Sequence, residues 1–516
     1  MSEPSLQPVN QTPNFKKRNF FQGFLDKIEK GGNKLPDILT IFLILTGVIL
    51  VASLVAGLLG WEAVNPATNE TITAINLLNS EGIVNILTSV VSNFMEFPPL
   101  GMVLVAMIGV GLAETTGLIS ALMKRTVLMA PAVLVLPIII FVGIVGNAAA
   151  DAAFVVLPPV AAMMFLTIGR HPVAGLVAAY AAVAGGFSAN VILNVLDVAI
   201  AGFTGAAAQI ADPNFVVNPA MNYYFTVAST FMLIPVAVFV TNRFVEPRLG
   251  DYTGTYSEEL SKVTNEERRG LKWAGIVFVA IIGVLLLLIL PEGALLRDPE
   301  TGSIIQSPFM EALIPIILVV FFLPALAYGI GSKTIKTDKD VAEHLTKAMS
   351  GMSYYIVIAF IAAQMIAYFN WSNLGPIIAI KGAEFLKSIG LTGLPLLIGI
   401  ILFSALINLL IASATAKWAI LAPVFVPMLM YLGYNPAYSQ MAYRIGDSIT
   451  NTITPMLAYF AILLMFAKKY DNNIKIGTLI SILLPYTIFF GISWIIFFSV
   501  WYMFDLPLGP GFYIRL

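Results

Sequence analysis

The chain has 516 residues, of which 58% are hydrophobic and only 11% are charged, and its mean hydropathy is +0.88. A soluble domain carries about 25% charged residues, so most of this chain avoids water. The formal net charge of −1 provides no basic field for nucleic acid, and the lack of cysteine excludes disulfides, thiolate metal sites and cysteine nucleophiles.

The sequence contains nine apolar segments long enough to cross a bilayer, which requires about 20 residues. The tail before them, residues 1–35, is polar and lacks the pattern of a cleaved signal peptide. The nine segments are, in chain order, 36–60, 97–119, 172–212, 220–242, 273–291, 309–331, 351–369, 436–467 and 476–503. Two further apolar segments, 126–168 and 391–432, are each interrupted by small and polar residues.

The Lys and Arg residues predict the orientation. With the N-terminus inside, 22 of the 28 Lys and Arg residues fall inside and 4 outside, as the positive-inside rule requires. This holds only if 126–168 enters and leaves on the inside, and 391–432 on the outside. We therefore predict two re-entrant hairpins, although two full spans in each place would give the same net topology.

The predicted fold class is an all-α polytopic membrane protein with nine transmembrane helices and two re-entrant hairpins in an inverted repeat. The predicted parts are a cytoplasmic tail (1–35), a first half (36–248) with hairpin 126–168 and broken helix 172–212, a cytoplasmic linker (249–272), and a second half (273–516) with hairpin 391–432 and broken helix 436–467.

Polar interruptions recur in the same order in both halves. The predicted hairpin tips are 146–151 and 413–418, and the predicted helix breaks are 185–190 and 446–451, the latter followed by Pro455. Unwound backbone at membrane depth is tolerated where it lines a cavity or meets a ligand, and half-helix ends there bind anions or cations. Close helix packing explains the small residues, but not the Asn, Asp and Pro among them. We therefore predict a binding site between the repeats.

Charged residues within the membrane cost about 2.5–3.5 kcal/mol each, so each implies a role. Arg444 and Asp447 stand three residues apart on one helix, which fits either an internal ion pair or an arginine that receives a substrate carboxylate beside a proton-carrying aspartate. Asp197 has no cation nearby in sequence, which favours cation or proton binding. Lys417 either supplies a positive field at the second tip or reaches water. Trp418 is either an interfacial anchor or a stacking partner for an aromatic ligand.

These considerations give two sets of candidate residues. The ion-binding candidates are Asn147, Asp151, Asn190, Asn194, Asp197, Thr450 and Asn451, with Asn147, Asn190 and Asp197 as the candidate sodium site. The substrate-binding candidates are Ser413, Lys417, Trp418, Arg444 and Asp447. No cofactor is expected, and the coupling ion is either sodium or a proton.

Several stretches resemble the p-aminobenzoyl-glutamate transporter (AbgT) family. They are 407–457, 169–190 and 477–486, and the most specific parts are Ala-Tyr-Arg-Ile-Gly-Asp-Ser (442–448) and Thr-Asn-Thr-Ile-Thr-Pro (450–455). The resemblance covers nearly the whole chain. It implies a homodimer of protomers with nine transmembrane helices and two helical hairpins, related in architecture to divalent-anion/sodium symporters. The expected location is the bacterial inner membrane, and the Lys and Arg distribution places the N-terminus in the cytoplasm.

The resemblance also implies ion-coupled transport of p-aminobenzoyl-glutamate, a folate catabolite, or export of p-aminobenzoate-like antimetabolites such as sulfonamides. Carried over by motif, the family's site residues fall on Asp197, Asn408, Trp418, Arg444, Asp447 and Pro455. This chain departs from the family in two places. The tip Gly-Asn-Ala-Ala-Ala-Asp lacks two hydroxyls of the common Ser-Asn-Thr-Ala-Ser-Glu, and Lys417 stands where Gln is common.

Two alternative functions fit a polytopic chain, namely a sodium-coupled carboxylate symporter of related fold and an ion channel. A channel needs a continuous polar pore, which paired hairpins argue against. An enzyme is not expected, because the sequence offers no cluster of nucleophile, base or metal ligands. The chain also lacks the GxxxxGK[ST] run of an ATP-driven transporter.

Overall fold

A computed structural model describes residues 36–66, 69–149, 152–254, 256, 263–305 and 307–516. The N-terminal tail 1–35 and the predicted site residue Asp151 lie outside these ranges. The regular secondary structure of the described chain is helical, apart from an antiparallel ribbon of β1 (Glu62–Val64) and β2 (Thr71–Thr73), in which Glu62 pairs with Thr73.

The described residues of the first half form ten α-helices. They are α1 (Ile38–Leu59), α2 (Ser80–Met95), α3 (Pro98–Thr115), α4 (Leu118–Leu128), α5 (Val135–Gly146), α6 (Ala152–Thr167), α7 (Pro172–Gly185), α8 (Val195–Ala208), α9 (Tyr223–Val240) and α10 (Glu246–Leu249). Helices α5 and α6 are the arms of hairpin 1, and α7 and α8 form broken helix 1. The turn of hairpin 1 starts at Asn147.

Eleven α-helices are formed by the part of the second half that the structure describes. They are α11 (Asn265–Ile289), α12 (Pro308–Glu311), α13 (Leu313–Ser332), α14 (Asp338–Ser350), α15 (Ser353–Trp371), α16 (Leu374–Ser388), α17 (Gly393–Asn408), α18 (Ala414–Tyr431), α19 (Pro436–Asn451), α20 (Tyr459–Tyr470) and α21 (Ile476–Met503). Helices α17 and α18 are the arms of hairpin 2, and α19 and α20 form broken helix 2.

The predicted number of spans agrees with the described helices. Among the described residues, eight helical stretches are long and apolar enough to cross a membrane, and one of these, α18, is a hairpin arm. Without α18, seven of these stretches cross the membrane, and the two broken helices bring the number of crossings to nine. Five crossings separate hairpin 1 from hairpin 2 along the chain, so the two hairpins enter from opposite sides. This odd number makes the two halves an inverted repeat.

The break in broken helix 2 lies later in the chain than the sequence predicted. Helix α19 continues through the predicted break, 446–451, and the chain leaves helical geometry only between Thr452 and Ala458. Pro455 lies at the centre of this segment, where its missing N–H cannot continue a helix. Gly446 instead permits close packing, since a Cβ there would lie 2.2 Å from the carbonyl oxygen of Ile401 on α17. In broken helix 1, the chain is non-helical between Gly185 and Val195, in agreement with the predicted break.

The hairpin and linker boundaries also differ from the prediction. The first arm of hairpin 1 begins near Ala132 rather than at residue 126, because α4 occupies 118–128 as a separate helix. The predicted tip of hairpin 2, 413–418, is shifted, because α18 is already helical from Ala414. The linker is shorter than 249–272. Thr264 and Glu267 form a capping box that starts α11, so its first two turns replace the end of the predicted linker.

The first segments of the broken helices form the centre of the protein. Every residue of α7 and of α19 is buried. Helix α11 is the opposite case, with Gly270, Leu271 and Ala274 as its only buried residues. Helices that are apolar on all sides and exposed in a polytopic chain face lipid or another subunit. The polar residues of α19 are thus held inside the protein, away from lipid.

The Lys and Arg distribution predicts that the loops at the two ends of α13 lie on opposite sides of the membrane. A cysteine at Glu300 is expected to react with an impermeant thiol reagent added outside, and a cysteine at Lys336 is expected to react only after permeabilisation. Both positions are exposed in the structure. Labelling of position 336 in intact cells would contradict the assigned orientation.

Candidate functional site

Charged residues from both halves meet inside the protein. They are Asp197 on α8, Lys417 on α18, and Arg444 and Asp447 on α19, and each is at most 4% exposed. In the described part of the chain, these are the four charged residues classed as buried. Burial of an unpaired charge is strongly unfavourable, so the partners of these groups define the site.

Asp197 is held by the start of α8. The side chain of Asn194 accepts hydrogen bonds from the backbone N–H groups of Leu196 (2.9 Å) and Asp197 (3.2 Å), and Asp197 Oδ2 accepts one from the Asn194 N–H (2.9 Å). This capping box satisfies helix-terminal donors, and the positive end of the helix dipole stabilises the carboxylate. Asn194 and Asp197, both predicted as ion-binding residues, therefore cap α8 at the end of the first break.

Arg444 faces Asp197 from the other half. Its Nη1 lies 2.7 Å from Asp197 Oδ1, although the contact lacks the alignment of a hydrogen bond. Arg444 Nε and Nη1 make no hydrogen bond within the described residues. The internal pair of Arg444 with Asp447, one of the two interpretations from the sequence, is not formed. Asp197 has no cation nearby in sequence, but the fold brings Arg444 against it from a distant position in the chain.

Asp447 pairs instead with Lys417. The Lys417 ammonium lies 2.5 Å from Asp447 Oδ1 and donates to the amide oxygen of Asn408. Lys417 is only 1% exposed, so the interpretation that its side chain reaches water is wrong. A second contact comes from Tyr443, whose hydroxyl lies 3.5 Å from Asp447 Oδ1.

Asn408 connects hairpin 2 to broken helix 2. Its Nδ2 lies within hydrogen-bonding distance of the Asp447 carbonyl oxygen (2.6 Å), Thr450 Oγ1 (2.9 Å) and Asn451 Oδ1 (2.8 Å). Thr450 also donates to the Ala405 carbonyl (3.0 Å). Thr450 and Asn451, predicted as ion-binding residues, therefore fix the first arm of hairpin 2 against α19 in this structure.

Trp418 is packed inside the protein, with Tyr443 against one face of its ring. It stacks on Tyr443 with ring centroids 4.5 Å apart and an angle of 22°, and it is fully buried. Its indole N–H donates to Thr204 Oγ1 (2.8 Å), which contacts Gln440 Oε1 (2.5 Å). Gln440 Nε2 in turn donates to Asn222 Oδ1 (2.5 Å). Trp418 is thus part of the protein interior, and its interpretation as an interfacial anchor is wrong.

The first-half amides meet at one carbonyl group. Asn147 and Asn190 both donate to the Ile144 carbonyl oxygen, at 3.2 and 3.5 Å. Asn147 Oδ1 and Ser188 Oγ are buried and have no hydrogen-bond partner within the described residues. Asp197 is paired with Arg444, so the structure joins two of the three residues of the candidate sodium site. No group of three or more His, Asp or Glu residues in the described chain is arranged to hold a metal ion.

The remaining predicted residues lie at the ends of elements. Ser413 caps α18 and accepts from the Ala416 N–H at 3.4 Å. Pro455 lies in the second break, as described above. Sequence reasoning missed Tyr443, Thr204 and Gln440. The available signal was weak, since Thr204 and Gln440 are single polar residues within long buried segments.

The comparisons with known proteins agree with this architecture. Residues 23–516 match the model of the "AbgT putative transporter family". The chain is 38% identical over 489 residues to the p-aminobenzoyl-glutamate transport protein of Escherichia coli (strain K12), covering 95% of this chain and 96% of that one.

Two solved structures have the same fold. The Alcanivorax borkumensis YdaH transporter matches with a TM-score of 0.89 and 40% identity, covering 92% of this chain and all of that chain. MtrF of Neisseria gonorrhoeae, reported as illuminating a class of antimetabolite efflux pumps, matches with a TM-score of 0.90 and 44% identity, covering 95% and 100%. The molecule is a multi-pass membrane transporter and not an enzyme. The chain belongs to the AbgT transporter family.

Proposed function

We propose that this protein is an ion-coupled secondary transporter of p-aminobenzoyl-glutamate and related p-aminobenzoate compounds. The observation that carries this proposal is Arg444, a buried arginine between the repeats whose Nε and Nη1 make no hydrogen bond within the described residues. A guanidinium presents a planar fork that matches a carboxylate. The E. coli relative, which is named for p-aminobenzoyl-glutamate transport, supports the choice of substrate.

Substrate binding at Arg444 requires competition with Asp197. In the structure, Asp197 Oδ1 lies 2.7 Å from Arg444 Nη1, in the place where a substrate carboxylate would bind. We assign to the substrate the role of displacing Asp197 from the guanidinium. Trp418 on α18 stacks on Tyr443, which precedes Arg444 on α19, and this aromatic pair provides ring surface for the p-aminobenzoyl group once the pair opens.

The coupling cation is assigned to hairpin 1. Asn147 Oδ1 and Ser188 Oγ are buried acceptors without hydrogen-bond partners in the described chain, and Asn190 lies beside the same carbonyl as Asn147. Buried acceptors are normally satisfied, and oxygen atoms at half-helix ends are suited to sodium. Proton coupling, with Asp197 as the carrier, is the alternative that the transport experiment separates.

The proposal extends to direction and assembly. The similarity to MtrF, whose structure is reported with a class of antimetabolite efflux pumps, supports export. We extend the proposal to p-aminobenzoate-like antimetabolites, including sulfonamides, at the same binding site. A homodimer in the bacterial inner membrane with a cytoplasmic N-terminus completes the proposal, and the exposed apolar surface of α11 is available for contacts with a second subunit or with lipid.

Reconstitution into proteoliposomes tests the function. Labelled p-aminobenzoyl-glutamate and p-aminobenzoate are expected to accumulate above the outside concentration when a sodium gradient is imposed, and not when a proton gradient is imposed alone. Equilibration without accumulation under both gradients would indicate a channel and contradict the proposal. Accumulation driven by the proton gradient alone would move the coupling role from hairpin 1 to Asp197.

The same assay tests the sodium site at hairpin 1. Asn147→Ala removes one buried oxygen ligand, so the sodium concentration for half-maximal transport is expected to rise by about tenfold or more. Asn473→Ala, in an exposed loop, is the matched control and is expected to behave as the wild type. Unchanged sodium dependence in Asn147→Ala would place the cation elsewhere.

A further inference from the structure

Lys417 occupies an unfavourable place for a cation unless its charge has a function there. It lies in the first turn of α18, where the helix dipole opposes a positive charge, and it is 1% exposed. Its ammonium lies 2.5 Å from Asp447 Oδ1 and also contacts Asn408 Oδ1. A carboxylate oxygen and an amide oxygen thus hold the ammonium in the interior, as they would hold a small cation.

The inverted repeat provides an internal comparison. Asn147 follows the first arm of hairpin 1, and Asn408 is the last residue of the first arm of hairpin 2. The two asparagines therefore take equivalent places in the repeats. Asn147 Oδ1 has no hydrogen-bond partner among the described residues, whereas Asn408 Oδ1 accepts from Lys417. The two halves therefore differ in that the asparagine of hairpin 2 contacts an ammonium group, which belongs to the side chain of Lys417.

We propose that the Lys417 ammonium is a tethered cation that permanently occupies a monovalent-cation position at hairpin 2, between Asn408 and Asp447. The proposal rests on the transporter function proposed above and concerns one site of that transporter. Sodium from solution is then excluded from hairpin 2 and has access only to other sites. Lys417 consequently belongs to the cation machinery, rather than to the substrate-binding residues among which the sequence placed it.

Replacing Lys417 with glutamine tests this directly. Lys417→Gln removes the charge and adds a side-chain oxygen to those of Asn408 and Asp447, so it is expected to create a sodium site. The purified full chain is melted in sodium chloride and in choline chloride. Lys417→Gln is expected to gain a sodium-dependent rise in melting temperature of about 2 °C or more beyond that of the wild type.

Two control variants define the cause of such a rise. Lys381→Gln makes the same substitution in an exposed ion pair with Glu384 and is expected to respond to sodium as the wild type does. Lys417→Gln combined with Asp447→Asn removes the carboxylate ligand and is expected to lose the added response. Because melting is measured without substrate, failure of this test is distinct from failure of the proposed transport function.

The proposal is overturned if Lys417→Gln shows no added sodium response, or if the double variant shows the same one. It is also overturned if Lys417→Gln fails to fold in sodium chloride while the double variant folds. That result would mean that sodium does not bind beside Asp447 in place of the ammonium. Should neither fold, Asn147→Ala decides, since it retains Lys417. Its melting temperature is expected to be the same in both salts, and a persistent sodium response would contradict exclusion from hairpin 2.

Discussion

Arg444→Lys is expected to lower the affinity for p-aminobenzoyl-glutamate by about 10- to 150-fold. Loss of a charge-assisted hydrogen bond from a buried site costs about 1.5–3 kcal/mol, and lysine cannot reproduce the planar fork of arginine. Because lysine keeps the positive charge, its ion pair with Asp197 is retained in part and the protein is expected to fold. Isothermal titration of the purified transporter measures the affinity, and its melting temperature is recorded alongside.

Asp197→Asn is the companion variant for this measurement. If the substrate carboxylate displaces Asp197 from Arg444, removing the aspartate charge is expected to preserve or strengthen binding. Gradient-driven accumulation is expected to be lost, because the variant lacks the Asp197 carboxylate that competes with the substrate and re-forms the pair with Arg444. Near-native affinity in Arg444→Lys would assign Arg444 to the scaffold and withdraw the substrate proposal.

Asp447→Asn is expected to destabilise the protein strongly. Removing one partner of a buried ion pair costs about 3–5 kcal/mol, because the remaining charge is left without compensation. Here that charge is the Lys417 ammonium, which is 1% exposed. The measurement is the thermal melting of the purified protein, and a decrease of several degrees is expected.

Two variants separate the loss of this pair from a general effect of mutation. Glu384→Gln breaks the exposed pair with Lys381, and surface pairs contribute about 0–1 kcal/mol, so little change is expected. The double variant Lys417→Gln with Asp447→Asn removes both charges and is expected to recover most of the loss. A melting temperature of Asp447→Asn within one degree of the wild type would contradict a buried charge pair.

The sequence was sufficient for the membrane spans, because crossing about 30 Å of hydrocarbon imposes a long apolar run that is visible without a structure. The Lys and Arg distribution then indicated two hairpins entering from opposite sides. The position of the second break was not accessible in this way. Gly446 looks like a helix breaker in sequence, but its role depends on the distance to Ile401 on a neighbouring helix.

The pairing of the buried charges could not be predicted from the sequence, for a related reason. Arg444 and Asp447 are close along one helix, and this local spacing suggested a pair that does not form. The actual partners, Asp197 and Lys417, belong to other helices, and only the packing of hairpin 2 and broken helix 1 around α19 brings them together. The residue types at the site were predictable, because buried charges require a reason, whereas their pairing depended on tertiary structure.

The two buried pairs also have a consequence for the response that we expect to a membrane potential. Asp197, Lys417, Arg444 and Asp447 carry two positive and two negative charges, so the buried charge of the described interior sums to zero. A membrane potential does about 2.3 kcal/mol of work per elementary charge per 100 mV, and on a neutral group of charges that move together it does almost none. If these four charges move together, we expect reorientation of the described interior without substrate to carry almost no charge, so that under the proposed transport cycle the current would come from the substrate and its coupling ion.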